Sequence, residues 1–320
     1  MAMNLDQSAD KITPSSGTLT VAGTESVTAL NITGTTDQIS SVAVSSNPSA
    51  PSAGNLKTFA TTIAGNTLPA FLNPTNAYVA LQPAWANKRI GIFTTNQTLS
   101  PTNFGMGSFS VTGAASSFSN STNMFSRATK MGLTSSATAG SFAQLYQSSP
   151  LTYSLGTATT PALGGFYYTI KFGISDTVAN PRTFIGLGGV TSAPTNVEPS
   201  TLLNSIGIGQ GSADTNFKIY YGGSAAQTPI DLGANFPSNT NAVDWYEFTL
   251  YAPPTSNNTV YYQVVRLNTG NVASGTLTGT AGTALPSNSS LLALRNWRTN
   301  NATSAAVTWC LGAIYTETDY

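Results

Sequence analysis

The sequence predicts an all-β protein: a short fibrous N-terminal repeat segment followed by a C-terminal β-sandwich. Three observations carry that expectation. The chain has no histidine, one cysteine, and only 12 basic and 12 acidic residues in 320, so its polar chemistry rests on Ser, Thr, Asn and backbone groups. Apolar residues alternate with polar ones in short runs separated by Gly-, Pro- and Asn-rich turns, as half-buried strands do. The N-terminal segment repeats itself every 11 residues.

That repeat comes first along the chain. Leu19-Thr20-Val21-Ala22-Gly23-Thr24 returns as Leu30-Asn31-Ile32-Thr33-Gly34-Thr35, each unit a short alternating strand closed by a Gly turn. Units this small cannot bury an apolar face alone and must stack or pair with other copies, either as an intertwined oligomer or as a hairpin on the main domain. Residues 40–60 are rich in Ser, Ala and Pro and read as a linker. The organisation is therefore 1–45 as an attachment segment, 46–119 as linker and small intermediate β region, and 120–320 as the sandwich.

In the sandwich region, Phe166, Tyr168, Ile170, Phe172 and Ile174 fall on one face of a strand, with Tyr167, Thr169 and Lys171 on the other. Similar runs follow at 183–187, 205–208, 217–221, 246–251, 260–267 and 307–315. Only 123–147 holds a short helical pattern. Many short strands with Gly and Pro turns predict a sandwich or jelly roll.

Composition excludes much chemistry. Without an imidazole, a Ser-His-Asp or Cys-His nucleophile cannot be assembled, and a zinc site lacks its usual ligands. The acids are dispersed with no Asp-x-Asp-x-Asp spacing, so no metal or cofactor is expected. Zero net charge gives no basis for nucleic-acid binding. The N-terminus shows no apolar signal region and no run approaches a membrane span, so neither secretion nor membrane insertion is expected.

Asp10-Lys11-Ile12-Thr13-Pro14-Ser15-Ser16-Gly17-Thr18-Leu19-Thr20-Val21 resembles the N-terminal segment of tail fibre and receptor-binding proteins of tailed bacteriophages. Three further stretches are similar to that family: 184–187 through 196–199, 203–209, and 296–301 with the closing 315–320. The resemblance implies a homotrimer in the virion tail, made in the host cytoplasm. It implies an N-terminal segment docked on other tail or baseplate proteins. It also implies a distal lectin-like sandwich, jelly-roll or concanavalin-like, that engages a host surface glycan. The family has no common site motif to transfer.

A ligand site must therefore be sought in the residues. An aromatic ring can cover a pyranose face while Asn, Arg and backbone groups bind hydroxyls. Trp297-Arg298-Thr299-Asn300-Asn301 supplies these groups together, and Tyr220 stands beside a Gly-Gly turn. Trp297, Arg298, Asn300 and Tyr220 are the candidate glycan contacts, with Trp85 a further one. Against each stands a place in the core, where large aromatics usually lie. A polysaccharide depolymerase would need two carboxylates about 5–10 Å apart. They would have to come from Asp176, Glu198, Asp214, Asp231, Asp244, Glu247 or the terminal acids, since 38–175 has none. No enzyme is expected; a capsid or baseplate decoration protein is the other non-catalytic reading.

Overall fold

The computed structural model describes residues 43–45, 48–74, 78–80, 89–95, 102–116, 123–149, 151–157 and 164–318. The chain divides into two units, 1–41 and 42–320. All described residues belong to the second. The 11-residue repeat and Trp85 lie outside them.

Among the described residues the strands form three antiparallel sheets. The smallest comprises β1 (Lys57–Ile63), β2 (Asn66–Leu72) and β3 (Tyr78–Ala80). Ala64 and Gly65 join the first two with φ of 46° and 70°, the paired positive values that suit a tight hairpin to the strand twist. The remaining elements run as β4 (Arg89–Thr94), β5 (Thr102–Phe104), β6 (Ser108–Thr112), β7 (Ala114–Ser116), a single helical turn α1 (Met124–Arg127), β8 (Met131–Thr134) and β9 (Phe142–Ser149). Then follow β10 (Phe166–Ile174), β11 (Arg182–Gly188), β12 (Ser205–Gln210), β13 (Lys218–Gly222), β14 (Ile230–Asp231), β15 (Tyr246–Ala252) and β16 (Thr259–Arg266). The last three are β17 (Asn271–Thr278), β18 (Ala293–Thr299) and β19 (Thr308–Thr318).

The nine-stranded sheet runs β17-β16-β15-β10-β19-β4-β5, with β8 beside β4 on the same edge of β19 and β7 on β8. The seven-stranded sheet runs β14-β13-β12-β11-β18-β9-β6. Their inner faces meet in one core: Ile170, Phe172 and Leu250 from the first sheet pack with Ile185, Ile206 and Leu294 from the second. Each such side chain stabilises the fold by about 1.5–3 kcal/mol through burial. The protein is a β-sandwich.

The structure refines the middle of the chain. In the intermediate region 46–119, β4 pairs with β19 and β6 with β9, so its second half supplies strands of the sandwich. The stretch 40–60 is not simply a linker, since Ala43 bridges Ala60 and Lys57 opens β1. The helical pattern at 123–147 yields only one turn before β8 and β9, because Ser, Thr and Gly leave no continuous apolar helix face. β17 and β18 were not foreseen. β17 is a polar edge strand, and β18 carries Arg295, Asn296 and Arg298 where the apolar pattern should be.

One connection shapes the surface. Between β11 and β12, residues 189–204 leave the sheet, run over the outer face of the seven-stranded sheet, and return through a short 3₁₀ turn (Pro199–Thr201). Arg295 holds this strap with Nη1 donating to the Ser192 carbonyl at 2.7 Å, and Arg182 Nε donates to Glu198 at 2.8 Å. Under it lie Phe184, Tyr220 and Trp297, with Leu202 packed against them. Gly207 is required there: a Cβ would sit 2.6 Å from the Ile185 carbonyl and 2.7 Å from the Phe184 ring.

Candidate functional site

The strands β10, β12 and β18 all finish at one end of the sandwich, and their loops converge there. The loop 175–181 opens with Asp176, whose Oδ1 accepts from the Val178 amide at 3.1 Å, the side-chain-to-backbone turn typical of Asp. Asn180 follows with φ 53°, a left-handed conformation that Asn tolerates better than most residues. The loop 211–217 is closed by the Gly211 amide donating to Asp214 Oδ2 and anchored by buried Phe217. The Ser238 amide donates to the Thr215 carbonyl, and Asn239 Nδ2 donates to the Val178 carbonyl at 3.1 Å. Three loops are thereby braced around a cleft of about 340 Å³.

Hydroxyl and carboxamide side chains (Thr177, Asn180, Gln210, Ser212, Thr215 and Asn239) line it together with apolar residues such as Val178 and Pro237 and the Asp214 carboxylate. Asn239 Oδ1 is buried and accepts no hydrogen bond among the described residues. An unmet acceptor of this kind favours a ligand or water that can donate to it.

The four nominated residues do not line this cleft. Trp297 is 1% exposed, Arg298 0%, Asn300 0% and Tyr220 2%, so none can meet a sugar. Trp297 points outward from β18 but lies beneath the strap, stacked on Phe184 (6.4 Å between centroids) and edge-on to Phe142 (6.0 Å). Arg298 points inward: Nε and Nη2 bind Asp176 at 2.8 and 2.7 Å, and Nη1 reaches Thr183 and Gln210. Tyr220 donates its hydroxyl to Asp214 at 2.6 Å, and burial together with that carboxylate pushes the phenol far above its usual range. Asn300 ties 135–141 to its own loop, accepting from the Ser141 amide and donating to the Thr138 carbonyl.

The motif still has a role at this end of the molecule. Arg298 positions Gln210, which lines the cleft, and Asn301 Nδ2 donates to the Asn180 carbonyl from behind. These residues frame the site without touching what enters it. The cleft residues themselves were visible in the sequence only as turn formers, such as Asn180-Pro181 and Ser238-Asn239.

Among the acids, Glu198 and Asp214 come together. Their Oε2 and Oδ2 atoms each lie 2.9 Å from where a Cβ on Gly211 would stand, so they are under about 6 Å apart, near the separation used by retaining glycosidases. Their surroundings suit ion pairing. Burial alone would raise the Glu198 carboxyl, but bonds from Ser212 and Arg182 outweigh it and hold it below its usual value. Asp214 is likewise raised by burial and more strongly lowered by Lys218, Tyr220 and the Gly211 amide. Both carboxylates are therefore ionised at neutral pH, whereas glycoside cleavage needs one held protonated. Asp176 and Asp244 are occupied by Arg298 and Arg266. Among the described residues no group of three or more His, Cys, Asp or Glu side chains gathers as a metal site, and no helix is long and apolar enough to cross a membrane.

No protein-family model matches the chain. No curated protein matches it either. Solved structures similar to it include arcelin-5, a lectin-like defence protein from Phaseolus vulgaris, with 10% identity over 72% of this chain and 99% of that one, at a TM-score of 0.45. Peanut lectin with a nine-residue peptide shows 11% identity over 73% and 98%, at 0.46. The CBM2 module of an evolved Dit protein of Lactobacillus casei BL23 phage J-1 shows 11% identity over 73% and 99%, at 0.41. At these identities and scores the likenesses assign this chain no ligand and no partner.

Proposed function

We propose that the protein binds a hydroxyl-bearing glycan without cleaving it, through the cleft between loops 175–181, 211–215 and 237–239. The observation that supports this best is the set of hydroxyl and carboxamide groups on the cleft wall with the unmet acceptor of Asn239. In this reading the chain is a receptor-binding protein of a phage tail, resident in the virion and homotrimeric, docked on tail or baseplate proteins by residues 1–45. Support for that part comes from the sequence resemblance of Asp10–Val21 and of the C-terminal stretches. Three copies convert weak single-site affinity into adhesion, because each later contact is intramolecular.

The test is glycan-array binding by the full-length protein, followed by titration of the best ligand. Thr215→Trp, at an exposed rim position, should fill the cleft and abolish binding. Asn239→Leu should weaken it about tenfold, the worth of one hydrogen bond. Unchanged binding in both variants would sink the site. Light scattering that shows a monomer at micromolar concentration would remove the trimer. Release of sugars from host polysaccharide, lost in Glu198→Gln, would replace binding with hydrolysis.

A further inference from the structure

We propose that the same end of the sandwich carries a second site, a pocket that takes the acetamido group of an N-acetylated sugar. It rests on the glycan-binding reading but uses different residues. The pocket has a volume of about 510 Å³ and is bounded by the β6–β7 turn, the residues after β8 and the start of β9. The turn 300–303 separates it from the first cleft: Asn300 binds the Ser141 amide on the pocket side, and Asn301 binds the Asn180 carbonyl on the cleft side.

Three features define what fits. Gln144 is 7% exposed, and its Nε2 donates to Thr112 Oγ1 at 2.9 Å. Its Oε1 is buried with no donor among the described residues. A carboxamide turned by 180° would leave Nε2 unmet instead, so one amide group lacks a partner in either placement. Beside it stand Phe142 and Ala114, which give the pocket an apolar wall, and the Ser136 and Ser141 hydroxyls, 2.6 Å apart. Among the described residues the lining has no Lys or Arg, so a carboxylate or phosphate would be desolvated there without a countercharge.

An acetamido group meets these conditions together. Its N–H donates to the unmet oxygen, its carbonyl accepts from a serine hydroxyl or from Nε2, and its methyl covers the apolar wall. A plain sugar hydroxyl could satisfy Gln144 but would leave Phe142 and Ala114 wet. The site therefore selects for N-acetylation, while the first cleft needs only hydroxyls.

The test compares triacetylchitotriose with cellotriose, which has the same backbone with hydroxyls in place of acetamido groups. Titration of the full-length protein should show at least about tenfold tighter binding of the acetylated trisaccharide. In saturation-transfer NMR its acetamido methyl should receive the strongest transfer. Ala114→Trp, at an exposed rim position, should erase the preference, and Gln144→Leu should reduce it about tenfold. Equal affinity for the two trisaccharides, or a preference that survives Ala114→Trp, overturns this proposal and leaves the first cleft standing. If neither trisaccharide binds and the glycan array is blank, the two readings fall together.

Discussion

The outer faces of the two sheets are covered to different extents. On the seven-stranded sheet the outward residues of β9, β11, β13 and β18 include Phe142, Phe184, Tyr220 and Trp297, a second small core beneath the 189–204 strap. On the nine-stranded sheet the outward positions of β10, β15 and β16 carry Lys171, Glu247 and Gln263. Tyr167, Tyr251 and Tyr261 stand there in directly paired positions. The β1–β2 hairpin tip touches this face, where the Ala64 amide meets Gln263 and Gly65 lies too close to the Tyr261 ring for a Cβ. At the end near Gly173 the single turn α1 covers it, with Phe125 packed on Trp245 and Cys310. Strand periodicity tells which residues share a face. It does not tell whether another segment roofs that face.

The contrast can be broken at graded positions. The largest effect should come from Arg298→Ala, which strands the buried Asp176 carboxylate at the loop end and should cost about 3–5 kcal/mol. Trp297→Ala should cost a similar amount, about 3–5 kcal/mol, by opening a cavity under the strap. Chemical denaturation measures both. If Trp297→Ala unfolds like wild type yet loses glycan binding, the strap does not cover that ring in solution.

Gly207→Ala comes next, at about 1–3 kcal/mol, because its Cβ meets Ile185 backbone and the Phe184 ring. Wild-type stability in this variant would mean that the face is loosely packed.

Acid should loosen the strap. Glu198 and Asp214 have carboxyls held below their usual values, so their contribution is complete above the unfolded values of about 4–4.5 and fades as pH falls through the lower folded values. Glu198→Gln should cost about 1 kcal/mol at pH 7, discounted for its partial exposure, and the difference from wild type should vanish near pH 2. Melting temperatures from pH 2 to 7 test this, and a constant gap across that range would contradict it.

The smallest effect belongs to the more open face. Lys171→Ala breaks an exposed pair with Glu247 (3.4 Å, side chains 48% and 31% exposed) and should change stability by less than about 1 kcal/mol. A loss as large as that of Arg298→Ala would show that this face is covered at Lys171 too.

Much of the fold was legible. β10, β11, β12, β13, β15, β16 and β19 follow from alternation because one face of each is buried in the sandwich core. Alternation even placed Lys171 outward, although Tyr167 beside it is buried against Tyr315. β18 was not legible, since Arg295 and Arg298 point to opposite faces and both are buried. Each is neutralised or hydrogen-bonded by groups far away in sequence: Ser192 for one, Asp176 for the other. The candidate site was half legible. The stretch 297–301 was the right neighbourhood, but its side chains brace the loops from within, and the cleft is formed by residues that looked like ordinary turn formers.

What the sequence determined alone is local: strand period, turn chemistry, the lack of imidazole, and thus an all-β chain without histidine-based catalysis. Those properties depend on neighbouring residues and on composition. Tertiary structure decided which outward aromatic is roofed, which carboxylates are paired, and which loops converge on a cleft. Each of those depends on segments far apart in the chain, as Asp176 and Arg298 are, 122 positions from one another. Burial and partner choice, unlike strand period, are properties of the assembled sheets.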